Sequence, residues 1–239
     1  MHWREPTSQF PSLRAGDVHV WRIELGRSTD EVRALEPILS DSERSRADRF
    51  VVDSAREDYV VARASLRRLL GGYLEKEPST IAIHLSEDGK PHLANSLNIS
   101  DIRFNLSHSG GLCLVAVSGR REVGIDVEKL RRDVDFGGLA AKYFAPAERD
   151  QIIALAGESQ MLAFFRCWTR KEAYVKAHGH GLRIPLDRFV VSITGDSPEV
   201  LDSPDSDRWE LHSLSPGGDF VGCLVVERPV KELYFFTQR

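Results

Sequence analysis

The sequence predicts an α/β (α+β) fold of two pseudo-equivalent halves, residues 1–119 and 120–239. Each half is expected to be a small antiparallel sheet packed with a long helix, with the active site at the seam. Strand-like and helical patterns alternate along the 239 residues, a length that suits one large domain or two small halves. The order of these patterns recurs, because Ser40 and Ala145 stand at corresponding helix starts 105 residues apart.

The first half begins with a strand and continues with two helices and three strands. Alternating apolar residues predict the strand at 18–25, and a Ser-Asp-Ser-Glu capping pattern predicts the start of the helix at 40–50. Apolar residues at helical spacing predict a longer helix at 56–74. Turn residues then separate strands expected at 81–85, 104–107 and 112–118.

The second half follows the same order. A strand is expected at 122–128, an Ala-Pro-Ala-Glu pattern starts a helix at Ala145, and a second long helix is expected at 161–177. Turns at 195–196 and 217–218 separate strands expected at 189–193, 209–214 and 221–226. The shared order favours a duplication, and the alternative is a chance similarity between two α/β units with few identities.

Composition and charge exclude several classes of protein. The formal net charge is −4, so a general nucleic-acid-binding surface is not expected. Apolar runs are too short for a membrane span, and the N-terminal segment lacks the apolar stretch of a signal peptide. The three cysteines are far apart and form no CxxC pair, which disfavours a zinc site and fits a reducing cytosol. A cytoplasmic location is therefore expected.

A pair of acidic residues lies in the strand expected at 122–128. Asp126 and Glu128 are two positions apart and share one face of the strand, whereas Ile125 and Val127 face the core. Two carboxylates on one face repel each other unless a cation or a base lies between them, and their hard oxygen atoms suit Mg²⁺. The alternative is a solvated strand face, which is common for a D-x-E pattern.

The second long helix carries Trp168, Glu172 and Lys176 at helical spacing. Much of this helix must be buried, because it is rich in aromatic residues. Buried charged groups need partners, which a cation and a phosphate would supply. Glu172 is therefore a candidate metal ligand or base, and Lys176 a candidate phosphate contact. The alternative is a surface Glu–Lys pair that contributes a few tenths of a kcal/mol.

The segment 104–111, FNLSHSGG, ends a strand in hydroxyls, a histidine and glycines. Such a turn offers backbone N–H groups and hydroxyls to an anion, and His108 is a candidate donor to a phosphate. Lys90 follows the Asp88-Gly89 turn and adds a cation in the same half. The alternatives are a plain hairpin bend with a satisfied histidine, and a solvated lysine.

Together, the segments 104–111, 124–128 and 168–176 resemble the three signatures of the Sfp-type 4'-phosphopantetheinyl transferases, in the holo-acyl-carrier-protein synthase superfamily. The patterns here are FNLSHS, GIDVE and WTRKEAYVKAHGHGL, and the Gly89-Lys90-Pro91 turn is also similar to a family element. The resemblance extends from about the first long helix to Leu186. It implies a monomeric enzyme that transfers the 4'-phosphopantetheine group of coenzyme A to a serine of an apo acyl, peptidyl or aryl carrier protein and releases 3',5'-ADP.

The resemblance also implies roles for individual residues. The first half would hold the 3'-phosphate of coenzyme A, and the second half would carry Mg²⁺ and the catalytic helix. Glu172 would act as general base as well as metal ligand, and Lys176 would stabilise charge on the pyrophosphate. The implied Mg²⁺ ligands are Asp126, Glu128 and Glu172, and the implied coenzyme A contacts are Arg63, Lys90, Ser107, His108 and Lys176.

Two other functions remain as alternatives. A metal-dependent phosphodiesterase would use the same three carboxylates, but the chain has neither a second carboxylate cluster nor a basic surplus. An inactive module that binds coenzyme A or a carrier protein is disfavoured, because all three carboxylates and Lys176 are present.

A carrier protein is expected to dock on the segment 133–147 and the long helices, because its serine must reach Glu172. Carrier proteins are generally acidic, so cations and apolar anchors are the expected contacts. The candidates are Arg131, Arg132, Lys142, Tyr143 and Phe144. The alternative is an ordinary solvated loop whose aromatic residues are tucked into the core.

Overall fold

The computed structural model describes residues 1–5, 10–94, 101–179, 184–194 and 197–238. The turn expected at 195–196 lies outside the described residues. The helices are α1 (Thr29–Leu35), α2 (Asp41–Ala47), α3 (Asp53–Leu74), α4 (Phe136–Tyr143), α5 (Pro146–Ile153) and α6 (Gly157–His178). The strands are β1 (Asp17–Glu24), β2 (Ile83–Leu85), β3 (Pro91–Leu93), β4 (Ile102–Ser109), β5 (Leu112–Gly119), β6 (Val123–Lys129), β7 (Val190–Val191), β8 (Val200–Asp202), β9 (Trp209–Leu214), β10 (Phe220–Glu227) and β11 (Glu232–Gln238).

Two sheets form the centre of the molecule. The N-terminal sheet has the order β11-β1-β5-β4, in which β1, β5 and β4 are antiparallel neighbours and β11 lies parallel to β1. The C-terminal sheet has the antiparallel order β6-β10-β9. The antiparallel strands correspond one to one between the sheets, and α3 and α6 each have 22 residues. The predicted fold class is therefore confirmed.

Because side chains alternate along the strands, the interior has three packed layers. They lie between α3 and the N-terminal sheet, between the two sheets, and between the C-terminal sheet and α6. Trp21 and Val115 face α3, whereas Val20 and Leu114, one position away, face the other sheet. In the C-terminal sheet, Ile125 and Leu224 pack against the N-terminal sheet. The neighbouring positions along each of these strands point to the opposite face, toward α6. Helix α3, the two sheets and helix α6 therefore stack in that order, with polar positions of β6 turned toward α6.

A glycine sets the distance between α6 and β6. A Cβ atom at Gly124 would lie 2.1 Å from the carbonyl oxygen of Ala173 and 2.3 Å from the amide nitrogen of Ala177. Any side chain at this position would push the helix away from the strand. The first residue of the GIDVE pattern therefore brings the helix that carries Glu172 directly onto the strand that carries Asp126.

The structure adds elements that the sequence patterns do not predict. Helices α1 and α4 and strands β3, β8 and β11 are new, and the strand expected at 189–193 is only the two-residue β7. Helix α4 contains Gly137 and Gly138, which lower its intrinsic helix propensity. Strand β11 returns to pair with β1, so the chain ends in the N-terminal sheet. The boundary between residues 119 and 120 stays a prediction.

Candidate active site

Side chains join β4 of one sheet to β6 of the other. Asn105, Ser107 and Ser109 alternate along β4 and therefore share one face. The Asn105 Oδ1 accepts from the Ile125 amide at 2.9 Å. The Ser107 hydroxyl donates to Asp126 Oδ1 at 2.7 Å, and the Ser109 hydroxyl donates to a Glu128 carboxylate oxygen at 2.7 Å. The polar residues of the FNLSHS pattern thus form the seam between the two sheets.

Asp126 is the most deeply enclosed acid of this seam, with 4% of its surface exposed. Its Oδ1 also accepts from the Lys176 ammonium at 2.6 Å. Its Oδ2 is buried and has no hydrogen-bond partner among the described residues. A buried carboxylate oxygen without a partner is costly, so the site is built to receive a further positive group.

Glu128 and Glu172 complete a group of three acids. Burial raises the pKa of Glu128 above its ordinary value, and the negative charge of Asp126 adds to the effect. Burial also raises the pKa of Glu172, where Lys176 opposes the shift and the other two acids reinforce it. The like charges on β6 and α6 therefore act on one another, and the site formed by these three acids stays a prediction.

The donor set suits a hard cation. Mg²⁺ prefers oxygen ligands such as those of carboxylates. Among the described residues, the buried Oδ2 of Asp126 has no hydrogen-bond partner that would compete with a cation. In the present arrangement, the part of the chain that the structure describes contains no group of three acidic, histidine or cysteine side chains placed to ligate a metal. The Lys176 ammonium pairs with Asp126 Oδ1 and supplies a positive charge beside these carboxylates.

A cleft of about 760 Å³ lies in the N-terminal half beside β4. Arg63 and His108 both line it, as do Arg46 and Arg49. Burial lowers the pKa of His108, while the nearby Asp58 carboxylate acts in the opposite direction. The cleft thus combines several cations with a histidine whose side chain is exposed.

Glu43 organises the basic side chains on one wall of this cleft. It pairs with Arg63 at 2.7 Å and with Arg67 at 2.5 Å. Burial alone would raise the pKa of Glu43, but the two arginines and the Ser40 amide outweigh it and hold the pKa below its ordinary value. Arg63 is therefore presented to the cleft by a partner that is not among the predicted site residues.

Lys90 takes a different direction from the other predicted contacts. Its ammonium pairs with Glu122 at 2.8 Å and donates to the carbonyl oxygen of Ala177 at 3.1 Å. It lines a second cleft of about 390 Å³, together with Arg103 and His178. The structure therefore places Ser107 and Lys176 beside the carboxylates, and Arg63 and His108 at the larger cleft. The Lys90 ammonium points instead to Glu122 and the end of α6.

Several residues at the site are not among the predicted ones. Asn105 and Ser109 belong to the FNLSHS pattern, and their alternation with apolar residues was the available signal. Glu43 carried a signal as the last residue of a capping box, since such a residue accepts from the backbone amide at a helix start. Glu122 had no signal, because its partners come from distant parts of the chain.

The segment expected to dock a carrier protein forms helix α4 and the residues beside it. Phe144 is 4% exposed and packs on Phe164 and Trp168, so its assignment to the docking surface is wrong and it belongs to the core. Tyr143 is 36% exposed, with the Lys142 ammonium 4.9 Å from its ring centre.

Two further features concern the cysteines and the helices. The three cysteines are free and buried, and burial raises the pKa of Cys113 and of Cys223 to about 12, so neither thiol supplies a thiolate nucleophile. Within the described residues, no helix combines the length and the apolar character that crossing a membrane requires.

Comparison with known proteins gives consistent matches over both halves. The family model "4'-phosphopantetheinyl transferase, N-terminal" matches residues 27–120, and the model "4'-phosphopantetheinyl transferase superfamily" matches residues 122–225. The 4'-phosphopantetheinyl transferase HetI of Nostoc sp. is 37% identical over 215 residues, which cover 90% of each chain.

Two other relatives match over shorter spans. The putative 4'-phosphopantetheinyl transferase slr0495 of Synechocystis sp. is 31% identical over 74% of this chain and 72% of its own length. The 4'-phosphopantetheinyl transferase Sfp of Bacillus subtilis is 27% identical over 82% of this chain and 86% of its own length. The matched regions include the FNLSHS, GIDVE and WTRKEAYVK segments in the two family models together.

Proposed function

Since the chain belongs to the 4'-phosphopantetheinyl transferase superfamily, we propose that its active site is the seam formed by β4, β6 and α6. The protein transfers the 4'-phosphopantetheine group of coenzyme A to a serine hydroxyl of a carrier protein. Assigning this reaction to the seam rests on one observation, the buried Asp126 Oδ2 that has no partner beside two further acids.

Asp126, Glu128 and Glu172 would hold Mg²⁺, and Ser107 and Ser109 would orient the first two of these ligands. When bound, Mg²⁺ supplies a Lewis acid that offsets the charge of the coenzyme A pyrophosphate. The hydroxyls of Ser107 and Ser109 fix one oxygen of each carboxylate and leave the other for coordination. Such outer hydrogen bonds commonly tune a metal site, and their loss typically lowers metal affinity by about 10- to 100-fold.

Glu172 is the group that would remove the proton of the attacking serine. Its enclosure on α6 keeps its pKa above that of an exposed glutamate, which makes the carboxylate a better proton acceptor. The serine oxygen then attacks phosphorus, and the bond to the 3',5'-ADP leaving group breaks. The reaction needs no covalent intermediate with the protein, in keeping with the buried thiols.

Lys176 would hold the negative charge that develops on the leaving group. Its ammonium is 2.6 Å from Asp126 and 3.2 Å from the Ser107 hydroxyl, and its side chain is 28% exposed. A cation fixed at this position stabilises the pyrophosphate in place, since phosphoryl transfer depends mainly on positioning and charge stabilisation.

The larger cleft would receive the 3'-phosphate end of coenzyme A. His108 and Arg63 line it together with Arg46 and Arg49, so a phosphate there would meet several donors. The 3'-phosphate distinguishes coenzyme A from dephospho-coenzyme A, and this cleft would carry that preference. The carrier protein would dock near the exposed Lys142 and Tyr143, with the enzyme acting as a cytoplasmic monomer.

The test is direct. The protein is incubated with coenzyme A, Mg²⁺ and a small panel of apo carrier proteins, and each carrier is examined by intact-mass spectrometry. A mass gain of one phosphopantetheine group on the carrier serine supports the proposal. Hydrolysis of coenzyme A without modification of any carrier would instead indicate a phosphodiesterase.

A further inference from the structure

One ion pair joins three elements at the edge of the active site. Lys90 lies in the turn between β2 and β3, in the N-terminal half. Its ammonium is 2.8 Å from a carboxylate oxygen of Glu122, the residue before β6, and 3.1 Å from the carbonyl oxygen of Ala177 in the last turn of α6. The turn is thereby bound to the strand that carries Asp126 and to the helix that carries Glu172.

This pair is more enclosed than an ordinary surface ion pair. The side chain of Lys90 is 14% exposed and that of Glu122 is 32% exposed. Burial lowers the pKa of Lys90, whereas Lys90 and Arg103 together outweigh the burial of Glu122 and keep its pKa below the ordinary value. The end of α6 also attracts a cation, because its last carbonyl groups carry partial negative charge.

The turn has two sides with different neighbours. Gly89 and Pro91 line the larger cleft, while the Lys90 side chain leaves toward α6. The Ser86 carbonyl accepts from the Gly89 amide, and the Ser86 hydroxyl accepts from the Lys90 amide, so two hydrogen bonds close the turn. A Cβ atom at Gly179, which ends α6 with φ +74°, would lie 3.3 Å from the Lys90 side chain. The helix therefore ends in a residue that leaves room for the lysine.

We propose that Lys90 is a positioning residue. It fixes the wall of the larger cleft, which would hold the nucleotide, against α6, and it does not itself bind the 3'-phosphate of coenzyme A. This inference rests on the proposed function. The nucleotide bound in the cleft and the pyrophosphate beside Lys176 belong to one molecule, so the cleft wall and α6 must keep a fixed separation. A shift of about 1 Å in such an arrangement can cost about 100-fold in rate.

The first experiment compares coenzyme A with dephospho-coenzyme A for Lys90→Met and Glu122→Gln, which remove the pair with little change in side-chain size. Both variants are expected to lower kcat/KM for both substrates by a similar factor, on the order of 10- to 100-fold. The preference for coenzyme A should stay at its wild-type value. Lys76→Met, an exposed lysine in the same half, is the matched control and should change nothing.

The rival result is distinct. If Lys90 binds the 3'-phosphate, Lys90→Met loses the preference for coenzyme A, and Glu122→Gln leaves that preference and the rate intact. That pattern, or wild-type rates in both variants, overturns the positioning role.

The second experiment does not depend on activity. Chemical denaturation of the two single variants and the double variant forms a double-mutant cycle. A double variant that is destabilised by less than the sum of the two single variants supports the pair, and additive effects overturn it. A wild-type protein that fails to transfer phosphopantetheine would refute the proposed function, whereas this cycle would still decide whether Lys90 and Glu122 act together.

Discussion

Replacing Asp126 by asparagine tests the proposed Mg²⁺ site most sharply. The substitution removes a charge but preserves the shape of the side chain, so it opens no cavity in the seam. The amide oxygen can still accept from Ser107 and Lys176, which both donate to Oδ1 in the native protein. We therefore expect the variant to fold, and its stability without Mg²⁺ to stay near that of the native chain.

The magnitude follows from ligand linkage. With coenzyme A present throughout and free Mg²⁺ at about 100 times its Kd, binding stabilises the native state by about 2.7 kcal/mol. For a chain of this length, 1 kcal/mol corresponds to about 2–4 °C in Tm, so the native protein should gain about 5–10 °C. Asp126→Asn should gain little, because Mg²⁺ loses its most enclosed ligand.

The assay is differential scanning fluorimetry over a Mg²⁺ titration, with transfer measured in parallel. Asp150→Asn is the control, because this exposed carboxylate is remote in sequence from the proposed ligands and should leave the Mg²⁺ response unchanged. Transfer by Asp126→Asn should be nearly abolished even at high Mg²⁺. A native-sized Mg²⁺-dependent rise in Tm in the variant would refute the assignment of Asp126 as a ligand.

Three further predictions concern the chemistry and the framework. Glu172→Gln should lower kcat by about 10²–10⁴ in transfer assays at saturating Mg²⁺ and coenzyme A, since the base acts in the transition state; an unchanged kcat under these conditions would contradict this role. Lys171→Met should destabilise the protein by about 3–5 kcal/mol in urea titrations, because Glu148, its partner at 2.7 Å, would stay fully buried without its cation; a cost below about 1 kcal/mol would show that the pair is not what holds α6. Burial lowers the pKa of His19 from 6.5 to about 4, so the unfolded state takes up a proton first and stability should fall by about 3 kcal/mol as pH drops through this range; His19→Gln should flatten that slope, and an equally steep slope in the variant would place the effect elsewhere.

Local patterns were sufficient to predict the strands and the long helices that position the site. The alternation in β6 placed Asp126 and Glu128 on one face, and the helical spacing in α6 placed Glu172 and Lys176 together. These inferences depend only on backbone geometry, which nearby residues determine. Helix α4 escaped prediction because its two glycines mask its helical character, and its stability comes from packing against the aromatic residues of α6.

The contacts that organise the site could not be predicted in the same way. Lys90 meets Glu122 and the carbonyl oxygen of Ala177, which lie 32 and 87 positions from it along the chain. Strand β11 pairs with β1 across almost the whole sequence. Such contacts depend on the relative placement of the two sheets, and no periodicity within a segment records it.

The buried polar anchors of the two halves argue that the framework was repeated while the site was not. Glu43 accepts from the Ser40 amide at the start of α2 and pairs with Arg67 of α3, whose guanidinium donates to the Ile81 carbonyl at 2.9 Å. In the same way, Glu148 accepts from the Ala145 amide at the start of α5 and pairs with Lys171 of α6, whose ammonium donates to the Phe189 carbonyl at 2.6 Å.

Each anchor joins a short helix, a long helix and the connection that follows the long helix. Because one half uses Arg67 and the other Lys171, a count of identical residues between the halves does not detect this equivalence. At the position of β1 that corresponds to Asp126, the chain carries Arg22, which donates to the Pro216 carbonyl at 2.5 Å. A cation there repels Mg²⁺, whereas the carboxylate of Asp126 attracts it. The two halves therefore share the packing that holds a long helix against a sheet, and they differ in charge at this pair of positions, in keeping with the site proposed beside Asp126.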